Sequence, residues 1–163
     1  MVVTASQGTL SGLPRRLVQD GIVSEESLAE AIEAAQKTGA GLVPILVEKQ
    51  MGEPRRIAIA AAHEFGIPLL DLDAVELDLD VVRLVSENLL SKHRVLPLLQ
   101  RGKRLYIAVG DPTNLHALDE IKFQTTLRIE PVVVEQDKLE ERVGRAIEAI
   151  DTTMSSFDDD DFD

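Results

Sequence analysis

The sequence predicts an α+β fold: an N-terminal helical tandem-repeat subdomain, then a small α+β subdomain ordered hairpin, helix, strand, helix. Three observations carry this. Apolar residues recur at helical spacing through the first third, and that third aligns with itself at a period of 29 residues. After Gly66-Ile67-Pro68 the pattern changes, and two apolar runs flank the turn Gln100-Arg101-Gly102-Lys103.

Residues 1–11 carry no periodic pattern and read as a flexible N-terminus, followed by the helical repeat over 12–65. Short helices are predicted over Pro14 to Asp20 and Pro44 to Lys49. Ser24 precedes Leu28, Ala31, Ile32 and Ala35, which gives a helix from Glu25 to Lys37 stopped at Thr38-Gly39-Ala40-Gly41. Pro54, in a first turn, opens another that runs through Ile57, Ala60, Ala61 and Phe65 to Gly66. In the repeat Gly12-Leu13 aligns with Gly41-Leu42, Leu17-Val18 with Leu46-Val47, Leu28 with Ile57, and Ala31 with Ala60. The matched positions are apolar, so two copies of one helical unit pack on each other.

The α+β subdomain is expected over 66–150. Leu69 to Leu72 reads as a short strand and Asp80 to Lys92 as a helix. The apolar runs 94–99 and 104–109 form the hairpin, with Pro97 confined to a strand start, an edge or a bulge because it has no N–H to donate. Asn114 caps a helix bearing Leu115, Leu118, Ile121 and Lys122, and the β-branched run Arg128 to Glu135 is the next strand. Asp137 caps a last helix with Leu139, Val143, Ile147 and Ile150 on one face. Residues 151–163, ending in Phe157-Asp158-Asp159-Asp160-Asp161-Phe162-Asp163, are too charged to bury anything and read as a disordered acidic linker or tail, so that the whole chain is expected to be the front of a larger protein.

Composition narrows the chemistry. With 3% aromatics the core must be aliphatic, and stacking platforms for bases or sugars are not expected. The absence of cysteine removes disulfides, thiol catalysis and thiolate zinc sites, and three scattered histidines do not suggest a metal. A net charge of −12 opposes nucleic-acid binding, which needs a coherent basic surface. No apolar run reaches the ~18 residues of a membrane span, and no secretory signal opens the chain, so a cytoplasmic protein without direct membrane insertion is expected.

No phosphate-binding G-x-x-x-x-G-K-[ST] loop occurs, and Gly102-Lys103 lacks both the leading glycine and the hydroxyl. The chain alone reads as no enzyme, and no cofactor is expected. Gly110-Asp111-Pro112-Thr113-Asn114 follows a strand and precedes a helix, where amides can receive an anion; the simpler reading is a turn with an N-cap. His63, His93 and His116 sit singly on predicted helices and read as surface or boundary residues. Arg15-Arg16 and Arg55-Arg56 stand out in so acidic a chain, as a solvated helix face or as a docking patch for an anionic partner.

From Phe65-Gly66-Ile67-Pro68 through Val95-Leu96-Pro97-Leu98 and Leu105-Tyr106-Ile107-Ala108-Val109-Gly110-Asp111-Pro112 to Ile150, the chain resembles the N-terminal domain of secretion ATPases, the type II secretion and PilB-type type IV pilus enzymes. Some relatives bind cyclic diguanylate through two tandem copies of R-L-G-x-x-L-x-x-x-G-x6-L-x3-L-x2-Q. Laid on this chain, the first copy keeps Leu13, Leu17, Gly21, Leu28 and Ile32, with Gly12 for the arginine, Pro14 for the first glycine and Ala35 for the glutamine. The second keeps Leu42 and Leu46, with Gly41 for the arginine, Val43 and Gln50 for the glycines and Glu64 for the glutamine. The degenerate ligand positions are thus Gly12, Pro14, Gly21 and Gly41.

The resemblance implies a non-catalytic regulatory or adaptor domain of a PilB-like ATPase. It would dock a PilZ-type regulator or the inner-membrane platform of the pilus machine, beside the remainder of the ATPase hexamer; direct sensing of cyclic diguanylate is the alternative. Partner binding is placed on Leu13, Arg15, Arg16, Leu17, Ile22 and Val23, as an apolar cluster with a charged rim. The competing reading has Leu13 and Leu17 closing the repeat core or packing on the second subdomain.

Overall fold

A computed structural model describes the backbone of residues 12–160 and the side chains of 12–154. The expected flexible segment 1–11 lies outside the described residues. Helix α1 (Leu13–Gln19) carries Pro14 in its first turn, and α2 (Glu25–Thr38) begins at Ser24, whose hydroxyl accepts the Ser27 N–H at 3.2 Å. Gly39, left-handed at φ 73°, ends α2. Helix α3 (Leu42–Glu48) follows, and α4 (Pro54–Phe65) starts on its proline and stops at Gly66.

The 29-residue repeat is present in the backbone hydrogen bonds. Asp20, Gly21 and Ile22 donate to the carbonyls of Arg16, Val18 and Leu17 at 2.9, 3.1 and 2.9 Å; Lys49, Gln50 and Met51 donate to Ile45, Val47 and Leu46 at 3.0, 3.1 and 2.8 Å. Both turns pass through a left-handed residue, Gly21 in the first copy and Gln50, at φ 56°, in the second. The copies interlock in crossed pairs. Helix α1 packs on α4 and α2 on α3, so each copy's first helix is covered by the other copy's second. Leu17, Leu28, Leu46 and Ile57 fill the shared interior.

The α+β part opens without the expected strand at 69–72. Leu69 makes one isolated parallel bridge to Val133, and Leu72–Ala74 is a 3₁₀ turn closed by the Asp71 carboxylate on the Asp73 N–H. The predicted helix 80–92 is two: α5 (Leu79–Val82) and α6 (Glu87–His93), because Ser86 caps the second by accepting from Leu89 N–H. Strands β1 (Leu96–Arg101) and β2 (Arg104–Val109) form the antiparallel hairpin, with Gly102 left-handed in the turn. Pro97 sits at a register shift in the edge strand, where a missing N–H costs no ladder bond. Helix α7 (Leu115–Thr125), capped by the Asn114 side chain, crosses to β3 (Arg128–Val133), which runs parallel to β2.

Helix α8 (Gln136–Asp160) begins one residue before the expected cap, so Asp137 lies in its first turn. It also runs beyond Ile150, where the sequence suggested disorder from 151. Its backbone stays helical to Asp160, with the Thr152 and Thr153 hydroxyls donating to the Glu148 and Ala149 carbonyls at 2.8 Å each. Residues 161–163 lie outside the described residues. Helix α8 packs on β1 and β2 and also on α3 and α4, spanning both parts. Val133 of β3 is buried in the helical cluster, while its neighbour Val134 belongs to the sheet's.

Candidate functional site

The residues singled out for docking divide. Leu13, Leu17 and Val23 are 1%, 0% and 3% exposed, inside the repeat core, and Ile22 is half-buried against it. Leu13, Leu17 and Val23 therefore do not form the expected exposed apolar cluster beside Arg15 and Arg16. The crossed pairing is the physical reason: α1 is covered by α4, a contact that the first copy read alone does not reveal. Arg15 is exposed, whereas Arg16 forms an ion pair with Glu64 of α4 at 2.7 Å, which holds its guanidinium pKa up. At the other end of the same seam Arg56 Nη2 donates to the Asp20 carbonyl at 3.3 Å. One arginine of each pair thus ties the two copies together.

Of the degenerate ligand positions, Gly12 (φ 65°) precedes α1, Pro14 is in its first turn, and Gly21 (φ 68°) is exposed in the turn after it. Gly41 precedes α3, facing the loop from the other part. A Cβ on Gly41 would lie 3.3 Å from Asp111 Oδ2, and that oxygen accepts the Val43 N–H at 3.4 Å. The Gly110–Asn114 loop is a turn and a cap: Asp111 Oδ1 also accepts the Thr113 N–H at 3.0 Å, and Asn114 Oδ1 the Ala117 N–H at 3.3 Å. The Thr113 and Asn114 amides are used within the turn, both donating to Asp111, and the loop presents the Asp111 carboxylate to α3.

These residues border a cleft of about 290 Å³ between the two parts, walled by Gly41 and Pro44 on one side and by Lys92, Arg94, Asn114 and His116 on the other. Its cations are already paired. Glu120 accepts from His93 Nε2 at 2.9 Å, Lys92 Nζ at 3.3 Å and His116 Nε2 at 2.8 Å, and Arg94 pairs with Glu140. His93, with 6% of its side chain exposed, is a boundary residue whose ring is turned inward, and it meets the ring of His116 edge-on. Sequence reasoning treated these histidines singly; the i, i+4 spacing of His116 and Glu120 was the available signal. Among the described residues no group of three His, Cys, Asp or Glu side chains is placed to hold a metal, and no helix is long and apolar enough to cross a membrane.

Glu120 carries a pH signature. Its hydrogen bond from His93, then that from Lys92, holds its pKa below the usual value. A carboxylate depressed on folding contributes its stabilisation above the unfolded value, about 4.3, and loses it as pH falls through the folded value. Urea midpoints measured from pH 7 downward are expected to fall in that acid window, and Glu120→Gln is expected to flatten the fall. An unchanged slope would mean that Glu120 is not among the titrating groups.

The pattern of the MshEN domain family matches residues 65–152. The type IV pilus assembly ATPase PilB of Acinetobacter baylyi is 38% identical over 153 residues, and that of Pseudomonas aeruginosa 33% over 150. These alignments cover 94% and 92% of this chain but 26% of each relative, so the chain spans about a quarter of the length of the curated relatives it matches. A structure of MshE with cdg superposes at a TM-score of 0.63 and 28% identity, over 84% of this chain and 99% of that one. The N-terminal domain of XpsE superposes at 0.65 and 21% identity, over 83% and 96%, a likeness of fold alone.

Proposed function

Since this chain belongs to the MshEN domain family, as an N-terminal domain of the type II and type IV secretion ATPases, we propose that it is a non-catalytic adaptor of a PilB-like pilus ATPase. It works in the cytoplasm, peripheral to the inner membrane through the pilus machine. Its partners are a PilZ-type regulator or the membrane platform, beside the remainder of the ATPase hexamer. One observation carries the reading: the repeat scaffold persists to the level of individual backbone hydrogen bonds, while its anion-holding groups are gone. Both motif arginines are glycine, the space beside Gly41 is taken by the Asp111 carboxylate, and Glu64, at the place of a motif glutamine, neutralises Arg16. A dianionic dinucleotide would find no guanidinium fork at either arginine position, and at Gly41 it would meet the Asp111 carboxylate instead.

Direct sensing of cyclic diguanylate has one observation in its favour, the likeness to MshE, which was solved with cdg. Calorimetric titration separates the two readings. The adaptor reading expects binding no tighter than about 10 μM, near −7 kcal/mol, together with capture of a purified PilZ-type protein by the chain. Submicromolar binding of the dinucleotide would overturn it.

A further inference from the structure

Two groups of basic side chains can be compared. Those of the cleft are neutralised by Glu120 and Glu140. At the hairpin end of the sheet Arg101, Lys103, Arg104, Lys122 and Arg128 line one shallow cavity of about 480 Å³. Arg128 reaches Glu130 at 3.8 Å; among the described residues no carboxylate pairs with the other four. This chain carries a net charge of −12, so five of its 17 cations gathered in one place, four of them without a carboxylate among the described residues, are not an average surface.

The register is a second, independent observation. Arg101 lies opposite Arg104 in the antiparallel ladder, and Arg104 opposite Arg128 in the parallel one. Three arginines therefore stand side by side on successive strands spaced about 4.8 Å apart. Like charges directly opposite one another destabilise a sheet, so this row is costly unless a counter-charge arrives from outside. Beside it Phe123, next in sequence to Lys122, is 89% exposed, and Leu127 is half-buried in the cavity wall. An occupant needs several negative charges and an apolar anchor.

This chain holds such a segment. Residues 157–163, Phe-Asp-Asp-Asp-Asp-Phe-Asp, bring five carboxylates and two phenylalanines against five cations, Phe123 and Leu127. Among the described residues the last apolar residue of α8 packed on the sheet core is Ile150, and ten further helical residues at 1.5 Å each carry the backbone about 15 Å past that contact. We propose that the arginine row, with Lys103 and Lys122, receives segment 157–163 of a second copy of this chain. The contact is head to tail, joining two different surfaces, so it closes into a ring or runs on from copy to copy.

Sedimentation velocity of the 163-residue chain tests this. Association that rises with concentration is expected, weakening at least tenfold between about 0.1 and 1 M salt as the Debye length shrinks from about 10 to about 3 Å. Arg101→Glu/Arg104→Glu/Arg128→Glu should be monomeric, and so should Asp158→Asn/Asp159→Asn/Asp160→Asn/Asp161→Asn. Mixed, the two variants should form a one-to-one heterodimer and nothing larger, because one intact patch and one intact segment remain. Lys103→Glu/Lys122→Glu, at exposed positions, replaces the arginine variant if circular dichroism shows that it misfolds. A wild-type chain monomeric at every salt concentration overturns the proposal, as does association that survives either set of substitutions. Binding of the patch to phosphatidylglycerol vesicles while the chain stays monomeric would assign it to a lipid surface instead.

Discussion

Leu17→Ala is expected to cost about 2–5 kcal/mol of folding stability, the range for a fully buried leucine truncated where the surroundings cannot collapse. Leu17 is 0% exposed, packed between the two copies with Leu28, Leu46 and Ile57, and its carbonyl accepts both Ile22 N–H at 2.9 Å and Val23 N–H at 3.3 Å. Urea unfolding followed by circular dichroism should show the midpoint falling. The same substitution distinguishes the structure from the docking role that the sequence suggested. A surface leucine would change stability by about 0.5 kcal/mol or less and would alter partner binding instead.

Val133→Asp is expected to do more than weaken the protein, because of where Val133 lies. It is 0% exposed, buried among the apolar side chains of the helical cluster. Its N–H donates to Pro68 and its carbonyl accepts from Leu70, each at 2.9 Å, so the chain that leaves α4 is stitched to it. A carboxyl group there finds no partner, and even a protonated one costs about 2–7 kcal/mol to bury. The wild-type chain should unfold in one transition seen alike by helical and sheet signals. The variant should lose the helical part at lower urea, splitting the transition in two. A single transition at the original midpoint would mean that Val133 does not join the two clusters.

Much of this architecture could be read from local signals, because local signals were what decided it. Ser24, Pro54 and Asn114 mark helix starts by satisfying or lacking an N–H, and Pro97 had to fall at an edge or bulge. Ser86, a cap within a continuous helical pattern, was overlooked and split one predicted helix in two. The long α8 contradicts its composition: an acidic run that repels itself continues a helix already anchored through Leu139, Val143 and Ala146. The burial of Leu13 and Leu17 could not be read from one copy, since it depends on α4, some forty residues away. The arginine row was illegible for a related reason. Arg101, Arg104 and Arg128 become neighbours only once two strand registers are fixed, one antiparallel and one parallel.

The crossed pairing of α1 with α4 and α2 with α3 also sets an order of events as the chain is synthesised. Helix α1 touches α2 of its own copy, but its main partner is α4, so it must wait for α4 to leave the ribosome before its apolar stripe is covered. Until then Leu13 and Leu17 are open to water and to other chains. The antiparallel hairpin, by contrast, closes over a two-residue turn and needs no distant partner. On the contact-order argument, the repeat that looks like two independent modules closes through pairings some forty residues apart and so assembles more slowly than the hairpin.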